Sequence, residues 1–267
     1  MIGVFDSGFG GLEILREIVK KLPQYKYIYL GDTQGAPYGS RSQETIYQFT
    51  KSAIDFLFKR GCGLIIIACN TASAEALRKI QQEYLPKRYP KKRVLGVIIP
   101  ACQTAEVLTK TKRIGVIATE SAVVSGAFER ELKKINSKIK VFQKACPLLV
   151  PLIEVGKQNT LLTKIYLKEC LGPLLGKSID TLILGCTHYG LVEKEIKKII
   201  PKKIKIVSEG KIVAEKLTIY LKNHPEIEKR LKKENSVEFL TTDLTEKFAT
   251  LGSKFFGKPI HPQKISL

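Results

Sequence analysis

Short apolar runs recur along the chain, each stopping at a small or polar cluster and each followed by a stretch of helical periodicity. Ile2–Phe5 reads as a strand, Asp6-Ser7-Gly8-Phe9-Gly10-Gly11 as a turn, and Leu12–Lys21 as an amphipathic helix. Tyr25–Leu30 is the next strand, Gly31–Gly39 a loop rich in Gly and Pro, and Ser42–Lys59 a helix. Leu64–Ala68 predicts a third strand with a helix over Ala72–Tyr84, then a surface connection at Leu85–Arg93 and a strand at Val94–Ile99 that stops at Pro100. The pattern restarts at Ile114, where I-G-V-I-A-T-E-S echoes I-G-V-F-D-S-G. Ser125–Ile135 follows as helix, Lys140–Gln143 as strand, Cys146–Glu154 as a Pro-punctuated loop, Thr160–Leu171 as helix and Thr181–Leu184 as strand. The remainder predicts a helix at Leu191–Ile199, a strand at Lys203–Val207, the loop Ser208-Glu209-Gly210, a helix at Lys211–Lys222 and a strand at Val237–Leu240, with Thr241-Thr242-Asp243 capping a helix at Leu244–Phe256. Strands alternating with helices over short connections predict an α/β fold with parallel sheets covered on both faces. The repeat predicts two doubly wound half-units, related by pseudo-twofold symmetry, facing each other across a central cleft.

In such a sheet, ligands bind beyond the carboxyl ends of the strands. Two strand ends carry the same idea: Leu64–Ser73, L-I-I-I-A-C-N-T-A-S, and Leu182–Gly190, L-I-L-G-C-T-H-Y-G. Cys69 lies 67 residues after Ile2 and Cys186 lies 72 after Ile114, so the cysteines occupy matching places in the two halves. A single nucleophile would need only Cys186 with His188 as its base. Two opposed thiols fit a reaction that takes a proton from one face of a carbon and returns it to the other, a racemisation or epimerisation. Asp6 and Ser7 in the first half, and Glu154 and His188 in the second, stand where they could manage those protons. Gly8, Gly10 and Gly11 miss the dinucleotide spacing, so the first turn suits a carboxylate better than a pyrophosphate.

Composition narrows this further. At 44% hydrophobic the chain of 267 residues can build a large core, and no apolar run reaches membrane-spanning length. Met1 leads directly into a strand instead of a basic targeting segment, which predicts a cytoplasmic protein. The six cysteines read as thiols, with Cys62, Cys102, Cys146 and Cys170 expected in the core. Neither C-x-x-C nor H-x-x-x-H occurs, so no metal site is expected. The formal charge of +20 raises nucleic-acid binding as an alternative. The lysines alternate with glutamates over helix-like stretches such as Glu193–Ile206 and Glu226–Glu234, however, without interleaved aromatics, which favours a solvated surface.

Five motifs then agree in order and spacing with one family: F-D-S-G-F-G-G (5–11), G-D-T-x-x-x-P-Y-G (31–39), A-C-N-T-A-S (68–73), P-L-I-E (151–154) and G-C-T-H-Y (185–189), with T-D-x-x-x-x-F at Thr242–Phe248 near the end. The chain resembles the cofactor-independent glutamate racemases of the aspartate/glutamate racemase superfamily. The resemblance implies interconversion of L- and D-glutamate without pyridoxal phosphate or metal, supplying D-glutamate for peptidoglycan. It implies that Cys69 deprotonates the D-isomer with support from Asp6, and Cys186 the L-isomer with support from Glu154 and His188. Ser7, Pro37, Tyr38, Gly39, Asn70, Thr71, Thr119 and Thr187 would hold the substrate's carboxylates and ammonium, several through backbone groups. It further implies two α/β domains, 1–96 with 209–267 and 97–208, and a homodimer.

The chain departs from the family pattern at three places. Gly35 stands where an arginine is common, Ala122 where many members carry a second threonine, and Ser208-Glu209-Gly210 where D-S-G is usual. The first two keep a related acidic amino acid, such as aspartate, open as the substrate.

Overall fold

A computed structural model describes residues 1–267. The chain alternates as β1 (Ile2–Asp6), α1 (Leu12–Lys21), β2 (Lys26–Gly31), α2 (Gln43–Lys59), β3 (Leu64–Ile67), α3 (Asn70–Glu75), α4 (Leu77–Lys79), α5 (Leu85–Arg88), β4 (Arg93–Gly96), α6 (Ile98–Leu108) and β5 (Arg113–Ala118). It continues as α7 (Glu120–Val124), α8 (Ala127–Ile135), β6 (Lys140–Ala145), α9 (Leu149–Glu154), α10 (Leu161–Leu175), β7 (Thr181–Gly185), α11 (Glu193–Ile199), β8 (Lys205–Val207), α12 (Glu209–Asn223), α13 (Pro225–Glu228), β9 (Ser236–Thr241), α14 (Glu246–Phe256) and β10 (Gln263–Lys264).

All strand pairs are parallel and form two sheets, one of six strands in the order β10-β9-β2-β1-β3-β4 and one of four in the order β6-β5-β7-β8. Four consecutive strands follow the same order in both, second-first-third-fourth. In this winding the chain reverses direction between the first and third strands, which opens a crevice at their carboxyl ends. β1 and β3 flank that point in one sheet, and β5 and β7 in the other.

Side-chain alternation along the strands divides the core. Ile2, Val4, Tyr27, Tyr29, Leu64 and Ile66 point to one face of the large sheet, where they join Ile117, Leu182 and Leu184 of the small sheet in a single cluster of 42 buried residues. Phe5, Ile28, Leu30, Ile65 and Ile67 point the other way, onto the α2 side. The two sheets thus share one apolar layer. Asp6 has the parity of Ile2 and Val4, so this carboxyl is drawn inward and is fully buried.

Several local expectations are corrected. The loop over Cys146–Glu154 contains helix α9, and the strand over Val94–Ile99 ends at Gly96 before α6. Pro151 and Pro100 each sit in the first turn of their helix, where a missing N–H costs nothing because no carbonyl precedes to receive it. The helix over Ala72–Tyr84 is broken at Ala76 and carries a π-helical turn at Ile80–Tyr84, and the connection after it holds α5. Ser125–Ile135 is split by Gly126, which takes the left-handed conformation at φ 64 ahead of α8. The helix-like stretches Glu193–Ile206 and Glu226–Glu234 keep only α11 and α13 as helix. Thr245, not Thr241–Asp243, caps α14, through a hydrogen bond from Phe248 N at 3.1 Å. Thr241 instead ends β9 against Thr33, and Thr242 Oγ1 donates to Asp32 Oδ1 at 2.8 Å.

Candidate active site

Each cysteine closes a strand and opens a turn. Cys69 caps α3, its sulfur accepting from Ala72 N at 3.5 Å and lying 3.4 Å from Ser7 Oγ. Cys186 follows β7, with its sulfur 3.9 Å from His188 Nδ1. Both side chains are nearly buried, as are the other four free cysteines. Burial therefore does not single out the pair. Their place at the two crevices does.

The supporting groups are arranged differently in the two halves. Asp6 Oδ2 accepts from Gly8 N at 2.9 Å, while Asp6 Oδ1 is buried without a partner. An unmatched buried oxygen costs about 1–3 kcal/mol, as much as a buried Ile2 or Val4 contributes, at about 1.5–3 kcal/mol each. Packing alone does not account for a carboxyl there. In the other half, His188 Nε2 lies 3.2 Å from Glu154 Oε1, and Glu154 Oε2 accepts from Lys247 Nζ at 2.8 Å. Phe9 and Phe255 flank the imidazole, with ring centroids 5.5 and 5.4 Å away.

Burial, then the Asp6 charge, pushes the Cys69 thiol up to about 11 against hydrogen bonds from Ser7 and Ala72. Burial raises Cys186 well above the thiol range; the His188 backbone N–H opposes it, and the Cys69 and Asp6 charges add to it. Burial also raises Asp6, with His188 opposing. Cys186 thus feels the charges of Cys69 and Asp6, and Asp6 that of His188, because the two strand ends lie within electrostatic reach of each other. Glu154 differs: burial pushes its pKa up, but hydrogen bonds from His188 and Lys247 outweigh burial and leave it below the ordinary value of 4.5. Its ionisation therefore stabilises the fold above that value, and this share is lost as pH falls through the lower folded value. Glu154→Gln should be less stable than wild type near pH ~7, and the gap between their urea midpoints should shrink progressively as pH falls below 4.5. A gap that stays the same over that whole acid range would show that packing, not charge, sets it.

The remaining candidates separate into those that converge and those that do not. Thr71 Oγ1 and Thr119 Oγ1 lie 2.8 Å apart and join the ends of β3 and β5. A methyl group on Gly39 would stand 3.1 Å from Thr119 Cβ, which brings the Tyr38–Gly39 backbone to the same place. Thr187 Oγ1 lies 3.4 Å from His188 Nδ1. Asn70, next to Cys69, is buried and its Nδ2 donates to Glu209 Oε2 at 2.8 Å. Tyr38 turns its hydroxyl away, donating to Asp32 Oδ2 at 2.6 Å, and Pro37 is exposed. Gly35 is explained locally. A Cβ there would lie 2.3 Å from Asp32 Oδ2, so an arginine cannot enter unless the Asp32–Tyr38 pair moves. Ala122 contributes its backbone N–H to Thr119 Oγ1 at 3.4 Å.

Three groups at the site are not assigned a role by the sequence, Phe255, Lys247 and the helical, buried Glu209, and the approach of Gly10 to His188 is visible only in the fold. Gly10 and Lys247 lie within quoted motifs, and Glu209 within a noted departure. Phe255 had no local signal. No group of three or more His, Cys, Asp or Glu side chains is placed to hold a metal ion, and no helix is long and apolar enough to cross a membrane.

The Asp/Glu/Hydantoin racemase family model matches residues 2–217. Among curated relatives, the glutamate racemase of Bacillus cereus is 40% identical over 98% of this chain and 95% of its own length, and that of Aquifex aeolicus is 38% identical over 99% and 97%. Among solved structures, glutamate racemase from Bacillus anthracis superposes with a TM-score of 0.91 at 33% identity, covering 100% of this chain and 97% of its own. The Francisella tularensis glutamate racemase in complex with D-glutamate gives 0.89 at 33% identity, covering 99% and 97%. An aspartate racemase from Picrophilus torridus, at 18% identity and a TM-score of 0.53, shares the fold alone. On the full-length match in sequence and the superposition of both sheets, the chain is an amino-acid racemase and belongs to the Asp/Glu/Hydantoin racemase family, among the glutamate racemases.

Proposed function

We propose that the chain interconverts L- and D-glutamate by passing the α-proton between two thiols, with no cofactor taking part. The observation that carries this reading is the matched placement of Cys69 and Cys186 after β3 and β7, at the crevices of two sheets wound in the same order. D-glutamate in the related Francisella structure supports the substrate.

Starting from the D-isomer, the Cys69 thiolate takes the α-proton and Cys186 S–H delivers its own to the opposite face of the carbon. The product is the L-isomer, and Cys186 is left as thiolate. The reverse reaction exchanges the roles. Raised thiol values make each thiolate a strong base once formed, but each then needs a neighbour to take its proton. Asp6 serves Cys69. For Cys186, the ionised Glu154 accepts from His188 Nε2–H, leaving Nδ1 with a lone pair towards the sulfur. Ser7, Asn70, Thr71, Thr119, Thr187 and the Pro37-Tyr38-Gly39 backbone hold the amino acid.

Two domains, 1–96 with 209–267 and 97–208, would provide the walls of the cleft. The D-glutamate would feed peptidoglycan synthesis, in the cytoplasm, from a homodimer. Purified protein in D₂O with L-glutamate should lose the α-proton signal as optical rotation decays to zero. A folded protein that leaves both unchanged overturns the reading, and the same assay over aspartate and other acidic amino acids tests the substrate.

A further inference from the structure

Glu209 replaces a residue of the usual D-S-G and belongs to none of the roles above. It opens α12, is 5% exposed, and its carboxyl crosses to Asn70, whose Nδ2 donates to Oε2 at 2.8 Å. The other oxygen of each group, Glu209 Oε1 and Asn70 Oδ1, is buried and has no partner. Two acceptors left over on a paired acid and amide are matched if one of them carries a proton. We propose that Glu209 is a positioning residue for Asn70: as a neutral carboxylic acid it accepts from Asn70 Nδ2, donates through Oε1 to Asn70 Oδ1, and so locks the carboxamide beside Cys69. The second Nδ2 hydrogen is then free, in a fixed direction, for a substrate carboxylate.

The electrostatic surroundings agree. A first helical position favours an anion, yet burial raises Glu209 well above the carboxylate range, and the charges that act on it, Glu13 from α1 and Asp6 from β1, are themselves carboxyls. Cys102 of α6 and Cys186 also feel its charge, and Glu209 forms no ion pair with any lysine or arginine. An ionised Glu209 would add a charge that opposes the Cys186 thiolate. A neutral one holds Asn70 without opposing the thiolate.

This assignment rests on glutamate racemisation as the reaction. Glu209→Ala, which leaves the buried amide unmatched, should raise KM for D-glutamate by about tenfold to a hundredfold with a smaller change in kcat. Glu209→Gln can present one acceptor and one donor to Asn70 and should restore KM to within about threefold of wild type. In the infrared difference spectrum between wild type and Glu209→Gln at neutral pH, the band lost should be the C=O stretch of a protonated acid. Loss of carboxylate bands, or a Glu209→Gln variant as impaired as Glu209→Ala, overturns the proposal; so does an unaltered KM in Glu209→Ala. If Glu209→Ala does not fold, Glu209→Gln and the infrared band still decide. A wild-type protein that fails to racemise refutes the reaction, while the infrared band separately reports the state of Glu209.

Discussion

Cys69→Ser and Cys186→Ser should each lower racemisation by about a thousandfold or more in both directions, because removing a positioned acid or base from a proton transfer costs about 10²–10⁴-fold and each direction uses both sulfurs. A serine hydroxyl is close in size to the thiol, so melting temperature should hardly move, which separates lost chemistry from lost fold. The two variants should also differ from each other. With Cys69 intact, Cys186→Ser should still exchange the α-proton of D-glutamate for deuterium without inverting it, and Cys69→Ser should do the same with the L-isomer. Proton NMR of each pure isomer in D₂O reads exchange, and circular dichroism reads inversion. If the double variant still racemises, neither sulfur is the proton carrier.

The second large effect is expected at Gly10, a residue with no side chain of its own that packs directly against the His188 ring. A Cβ built on Gly10 would lie 2.4 Å from Thr187 Oγ1, 2.7 Å from His188 Nδ1 and 2.8 Å from the ring carbon beside it. Those atoms belong to the other strand end, held in place by Glu154 and by the Phe9 and Phe255 rings. Gly10→Ala should therefore displace the imidazole from Cys186, with a loss of about a hundredfold in kcat/KM and a stability cost of about 1–3 kcal/mol. Gly8 is the control: its Cβ would meet only Asp6 Oδ2, at 4.0 Å, so Gly8→Ala should stay within about threefold of wild type. Equal losses in both variants would mean that the turn's backbone flexibility, not its approach to Thr187 and His188, is what matters.

Much of the site was legible because its chemistry is local. Cys69 with Asn70 and Thr71, and Cys186 with Thr187 and His188, each occupy one turn after an apolar strand, and that order survives folding unchanged. Glu154 is legible through the P-L-I-E motif, but the loop expected around it is a helix, since prolines in a first helical turn look the same in sequence as prolines that prevent one. In sequence Glu209 reads as a loop residue, because nothing nearby in the chain explains a buried acid; its partner Asn70 is 139 residues away. Lys247 is one lysine among many in the sequence, and only its contact with Glu154 Oε2 distinguishes it.

By itself, then, the sequence determined the alternation of strands and helices, the repeat that starts again at Ile114, and the two cysteines with their immediate neighbours, because periodicity and turn chemistry act over a few residues. The tertiary structure decided which groups meet across the crevices: Thr71 with Thr119, Gly10 with His188, Asn70 with Glu209, Lys247 with Glu154. It also decided their charge states, since the raised thiols and the depressed Glu154 follow from burial and from partners supplied by other segments. Desolvation and Coulomb forces depend on distance in space, and separation along the chain does not encode that distance.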